Sequence, residues 1–120
     1  MKAGDIFTLT HVVSENETAE ILGSGGLPVY STPSMICLME LTAYKMAECE
    51  GHQTVGTKVN INHLKACKPG TEVTATAEIT EIDGRRLVYK VVVAEGDAIV
   101  GEGIHERFVI DPERFMAKLG

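Results

Sequence analysis

Tryptophan is absent from the 120 residues, and phenylalanine and tyrosine contribute three each. Any core must therefore be built from Val, Ile, Leu, Ala and Met. No apolar run approaches the roughly 20 residues that span a bilayer. The opening stretch, MKAGDIFTLTHVV, lacks the apolar segment and cleavage site of a secretory signal. Cysteine is scarce and odd in number. Cys37, Cys49 and Cys67 each lie inside a regular apolar pattern, which argues for free thiols in a reducing compartment and against a disulfide framework. A cytoplasmic protein is expected, with no membrane partner. Excess positive charge is also missing: the net charge of -6 argues against a general nucleic-acid binder, which needs a basic face to neutralise phosphate.

What is present suits one domain, residues 1-120, with 44% apolar content and no sign of disorder. DIFTLTHVV alternates as a strand should. Residues 14-31, SENETAEILGSGGLPVYS, have no long period and carry three glycines and a proline, which predicts a mobile lid with one helical turn at ETAEIL. A helix follows, with Thr32 as N-cap, Pro33 in the first turn and Gly51 as its stop. Placed at 100° per residue, Leu38, Cys49, Thr42, Met35, Met46, Met39, Ala43, Ile36 and Ala47 form one wide apolar arc. Such a helix should be swallowed by its neighbours, yet Glu40 stands at the border of the arc.

Everything after residue 53 reads as antiparallel sheet. TVGTKVNINHLKAC would place Val55, Thr57, Val59, Ile61 and His63 on one face. TEVTATAEITEI and RRLVYKVVVAE would be joined at Asp83-Gly84 by a type I′ hairpin. AIVGEGIHERFVI is the last strand and DPERFMAKL a short terminal helix. One helix gripped by a curved sheet of about five strands, the last four in a meander, is an α+β architecture in which helix and sheet bury each other.

Three residues bear on chemistry. His63 points toward the helix and Glu40 lies near the same boundary. Thr32 offers a hydroxyl at a helix N-terminus, where backbone N-H groups favour negative charge. Carboxylate, imidazole and hydroxyl together can perform nucleophilic or acid-base work. Each also has a plainer reading: a histidine satisfied by a carbonyl, a carboxylate reaching solvent past Tyr44, and a simple cap. GSGG lacks the lysine of a phosphate loop, and the four histidines lack the paired spacing of a zinc site, so no metal is expected. His105-Glu106-Arg107 reads as exposed charge on the last strand. Between residues 55 and 90, six basic side chains oppose four acidic ones. That balance suits either a solvated sheet face or a local seat for a polyanionic small ligand.

TPSMICLME, GTKVNINHLKACKPG, IDGRRLVYKV and GEGIHERFVIDPERFMAK together resemble the fluoroacetyl-CoA thioesterase family of hotdog-fold enzymes over Leu27 to Lys118. The shared spacing is a threonine eight residues before a helix glutamate and a glycine seven before a strand histidine. The resemblance implies a hotdog dimer, with further pairing into tetramers left open, that hydrolyses acyl-CoA thioesters at its subunit interface. CoA is part of the substrate, and no separate cofactor is implied. By carry-over, Glu40 attacks the carbonyl or activates water, His63 moves protons, Thr32 orients Glu40, and the Gly56 N-H contacts the thioester oxygen. The lid lacks the bulky aromatics with which the family closes over a fluorinated acyl group, so a small or short acyl chain is expected, with Tyr30 as partial gate. Arg85 and Arg86 are candidates for CoA phosphates. A non-catalytic acyl-CoA or small-acid binding dimer on the same scaffold is the alternative.

Overall fold

A computed structural model describes residues 1-120. Five strands form one antiparallel sheet: β1 (Ile6–Val12), β2 (Gln53–His63), β3 (Glu72–Asp83), β4 (Arg86–Glu95) and β5 (Ala98–Ile110), in spatial order β1-β3-β4-β5-β2. Helix α2 (Thr32–Glu48) lies across its inner face. A 3-10 turn (Glu15–Glu17), a one-turn helix α1 (Ala19–Leu22) and the terminal α3 (Pro112–Ala117) complete the chain. No helix is long and apolar enough to cross a membrane.

Only β3, β4 and β5 form a meander; β2 crosses over to pair with the far side of β5, which corrects the expected four-strand order. β5 is therefore interior. The open edges are β1 and β2, because the long β2 can satisfy only one of its two hydrogen-bonding rows within the chain. The β3-β4 turn is centred on Gly84 and Arg85. Gly84 takes a φ of 60° and no non-glycine residue has positive φ, the pattern of a type II′ turn rather than the expected I′.

Seven of the nine residues in the predicted arc of α2 are buried, against Val73, Ala75, Ala77 and Ile79 of β3 and Leu87, Tyr89, Val91 and Val93 of β4. Each large side chain removed from water there contributes about 1.5–3 kcal/mol. The helix is not swallowed: Cys37 and Leu41 remain exposed and Ile36 and Glu40 are half-buried, so one flank is open. The helix begins one residue earlier than expected in its capping. Ser31, not Thr32, is the N-cap, its hydroxyl accepting from the Ser34 N-H at 3.2 Å. Thr32 occupies the first helical position, which frees its hydroxyl for another partner.

The predicted mobile lid is pinned. Backbone bonds run from Ala19 N to Val29 O (2.9 Å), Tyr30 N to Cys67 O (2.7 Å) and Ser31 N to Glu17 O (3.0 Å). The His11 ring and Glu17 carboxylate meet at 2.7 Å. The first and third of these bonds close the segment on itself, while Tyr30 to Cys67 and Glu17 to His11 tie it to the rest of the chain.

Candidate active site

β2 carries a bulge between Gly56 and Lys58. Residues opposite each other in an antiparallel pair share a face, and Gly56 pairs with Arg107, Val59 with His105, Ile61 with Gly103 and His63 with Gly101. The extra residue, Thr57, thus puts Gly56 and His63 on the same inner face although they are seven residues apart, and turns Val55 to the outside, against expectation.

The inner face brings the predicted residues together as two groups. In one, Thr32 Oγ1 and His63 Nδ1 lie 2.8 Å apart, on a cleft of about 290 Å³ lined also by Val29, Tyr30, Pro33 and Leu64. The hydroxyl is exposed and can donate to Nδ1, while His63 Nε2 is buried without a hydrogen-bond partner. Tyr30 is 1% exposed and belongs to the core; it is part of the cleft floor rather than a gate, and burial pushes its hydroxyl pKa well above the ordinary value.

In the other group, Glu40 Oε2 stands 3.7 Å from Arg107 Nη1, with the Glu40 side chain 42% exposed. Gly56 faces them closely: a Cβ built on it would meet Glu40 Oε2 at 3.1 Å and Arg107 Nη1 at 3.2 Å. Arg107 donates from Nε to Thr54 Oγ1 (2.8 Å) and from Nη2 to Thr54 O (3.1 Å), and its Cζ lies 5.8 Å from the centre of the Tyr44 ring. Burial lowers the guanidinium pKa, and Glu40 opposes that shift.

Within one protomer these groups stay apart. Eight helical residues separate Thr32 from Glu40, about 12 Å of rise. The Thr32 hydroxyl engages His63 and does not reach the Glu40 of its own chain. Arg86 is committed elsewhere, at 2.9 Å to both Glu106 and Glu81, and pairs across β5 to the Val55 level of β2. That is eight residues from His63, about 26 Å along the strand. Arg85 forms no ion pair. It stands at the same far end, on clefts shared with Val109 and Asp111.

Two residues correct the expected run of exposed charge on the last strand. His105 and Arg107 are buried, while only Glu106 between them faces outward, bonded to Arg86. The signal was the alternation from Gly101 and Gly103 through His105 and Arg107. Two glycines on one face mark where a neighbour comes close, and hence the inner side.

A family model described as fluoroacetyl-CoA-specific thioesterase (FlK) matches residues 13–113. The fluoroacetyl-CoA thioesterase of Streptantibioticus cattleyicolor is 36% identical over 128 residues, covering 99% of this chain and 92% of that protein. A solved structure of a variant of the fluoroacetyl-CoA-specific thioesterase, in complex with fluoroacetate and CoA, superposes with a TM-score of 0.89 at 33% identity, covering 96% of this chain and 99% of that one. A hot-dog-like protein from Thermanaerovibrio acidaminovorans, at 22% identity and a TM-score of 0.89 over 99% and 90% of the two chains, shares the fold.

Proposed function

The chain belongs to the fluoroacetyl-CoA-specific thioesterase family, and on that premise we propose that it hydrolyses the CoA thioester of a small or short acyl group at a site completed by a second copy of itself. The observation that carries this reading is the division of the inner face into a hydroxyl-imidazole pair and a carboxylate-guanidinium pair, too far apart to serve one carbonyl from a single chain. The open flank of α2 and the unpaired edge of β2, where Val59 is 42% exposed, are the surfaces on which a two-fold related copy would set its Thr32 and His63 opposite Glu40.

In that arrangement Glu40 removes a proton from water as the water oxygen bonds to the thioester carbon. In this reading the backbone N-H of Gly56 serves the carbonyl oxygen. As the C-S bond breaks, the proton reaches the departing thiolate, with His63 as the relay and Thr32 holding its ring through Nδ1. A second reading has its own support. A threonine hydroxyl 2.8 Å from an imidazole nitrogen is the geometry of a nucleophile and its base, in which case Thr32 takes the acyl group and water then releases it. Acyl-Thr32 detected by mass spectrometry after rapid quenching selects the second reading; its absence during steady turnover selects the first.

Release of free thiol from a panel of short, branched and aromatic CoA esters defines the substrate. Glu40→Gln is expected to lower kcat by at least about a hundredfold while the protein stays folded, and unaltered turnover would remove Glu40 from the chemistry. Binding of the esters with no thiol release would leave a non-catalytic carrier. The shared site has a direct test. Chains carrying Glu40→Gln and chains carrying Thr32→Ala, mixed and exchanged to equilibrium, should recover about a quarter of wild-type activity, because about half the pairs are mixed and each mixed pair holds one whole site. No recovery from dimers shown to have exchanged would place the site within one chain.

A further inference from the structure

β5 buries two polar side chains, His105 at 1% exposure and Arg107 at 6%, and the protons of both can be placed. The Lys58 carbonyl oxygen lies 2.8 Å from His105 Nδ1 and can only accept, so Nδ1 carries the hydrogen. Arg107 Nη1 lies 3.1 Å from His105 Nε2 and can only donate, so Nε2 offers its lone pair. His105 is thus a neutral imidazole in one tautomer. Protonating it would aim one N-H at another. Burial, with the Arg107 charge adding to it, keeps its pKa below the ordinary histidine value against the opposing pull of the Lys58 carbonyl, Glu40 and Glu106. Tyr89 stacks at 6.3 Å on the adjacent strand.

Arg107 in turn has little freedom. Thr54 takes one hydrogen bond through its hydroxyl and another through its carbonyl, and His105 takes a third, so the guanidinium plane is fixed with Nη1 toward Glu40. The nature of the third acceptor matters. A carboxylate at position 105 would neutralise Arg107 and compete with Glu40 for it, whereas a neutral ring nitrogen fixes the direction and leaves the charge for Glu40. The other ring nitrogen holds Lys58, the residue at which the β2 bulge ends. One imidazole therefore joins the bulge that presents Gly56 to the arginine that faces Glu40.

We propose that His105 is a positioning residue: as a neutral acceptor it holds Arg107 in the orientation that aims the Glu40 carboxylate at the substrate. The proposal rests on the reading above, in which Glu40 serves the reaction. Two isosteric changes separate its halves. Glutamine can put an amide oxygen where Nε2 stands, and asparagine can put an amide N-H only where Nδ1 stands. In the full-length protein, with thiol release as the assay and thermal unfolding measured beside it, His105→Asn should lower kcat by about tenfold to a hundredfold with KM barely changed. His105→Gln should retain most of kcat.

Equal activity of the two variants, or losses that follow their unfolding temperatures rather than the restored acceptor, would overturn it. Should His105→Asn fail to fold, Thr54→Ala removes another anchor of the same guanidinium without touching the histidine. The same fall in kcat at constant KM is then expected, and an unchanged kcat counts against the proposal. Glu40→Gln, run alongside, distinguishes the two levels. If it leaves turnover intact, the thioesterase mechanism fails; if it abolishes turnover while His105→Asn stays fully active, only the positioning role fails.

Discussion

Replacing Gly56 with alanine adds one methyl group at the closest approach of sheet and carboxylate. Its carbon would lie 3.1 Å from Glu40 Oε2, 3.2 Å from Arg107 Nη1 and 3.3 Å from His105 Cε1, each a few tenths of an ångström inside ordinary contact. Gly56 does not use the left-handed backbone region, so alanine fits its main chain. What gives way can be decided from the anchors. Arg107 is held by three hydrogen bonds and His105 is enclosed, whereas the Glu40 side chain is 42% exposed and has space toward solvent. The carboxylate should therefore swing outward. Because the displaced group moves into the open site rather than compressing the core, the stability loss should be about 1 kcal/mol, the low end for overpacking, or about 4 °C in Tm for a chain of this size. Catalysis should suffer far more, since an ångström of misplacement at a reacting group costs on the order of a hundredfold. Thiol release and a thermal melt on the same sample provide the check. Full kcat at an unchanged Tm would show that the carboxylate has no required position, and a collapse in Tm would show that Gly56 serves the fold alone.

Gly103→Ala should behave oppositely: its Cβ would run into the backbone oxygen of Asn60 and come within 2.9 Å of the Ile61 Cα. Strands β2 and β5 would be forced apart, and a loss of about 2–3 kcal/mol is expected by denaturant unfolding; an unchanged midpoint would refute the close packing. Titration with a thiol reagent should find Cys49 reacting fast in the native protein and Cys67 slowly. Burial raises the Cys67 pKa above that of a free thiol, so at pH 8 its thiolate fraction lies below the ordinary one; equal rates for Cys49 and Cys67 would contradict this.

The helix and its buried side were readable because period and burial coincide: Met35, Leu38, Met39, Thr42, Ala43, Met46 and Ala47 recur at helical spacing and all go inside. Glu40 stood out as a carboxylate at the border of that arc, and His63 as an imidazole on the apolar face of its strand. What the linear pattern hid depends on single residues whose effect is settled by tertiary contacts. Ser31 and Thr32 are equally good caps locally, and the choice falls to Ser31 because Thr32 bonds His63. A strand read with strict alternation cannot place both Gly56 and Val55 correctly once Thr57 bulges out. The glycines of the lid suggested mobility, but the buried Tyr30 and its bond to Cys67 tie the end of the segment to a residue far along the chain. His105 and Arg107 looked like surface charge because burying an arginine is costly, and nothing in sequence showed that Thr54, Glu40 and a neutral histidine would receive it.

The sheet separates two demands that conflict in most cores. On β3 and β4, aliphatic side chains fill the inner face and hold the buried flank of α2. On β5 and β2 the same face carries Gly101, Gly103 and Gly56, interleaved with His105, Arg107, Ile61 and His63. Gly101 leaves room for Met35, one turn beyond the start of the helix, to settle against the strand position paired with His63, and Gly56 leaves room for Glu40, about one and a half turns later. The helix is thus drawn onto the strands that contribute least apolar contact, at the two levels where polar groups must be held. A close-packed aliphatic surface there would stabilise the protomer more and close the cleft beside Thr32 and His63. The tolerance for that gap comes from the other half of the sheet, so substitutions on β3 and β4 should register mainly as stability, whereas substitutions at Gly56 and at the polar side chains of the inner face of β2 and β5 should register mainly as rate.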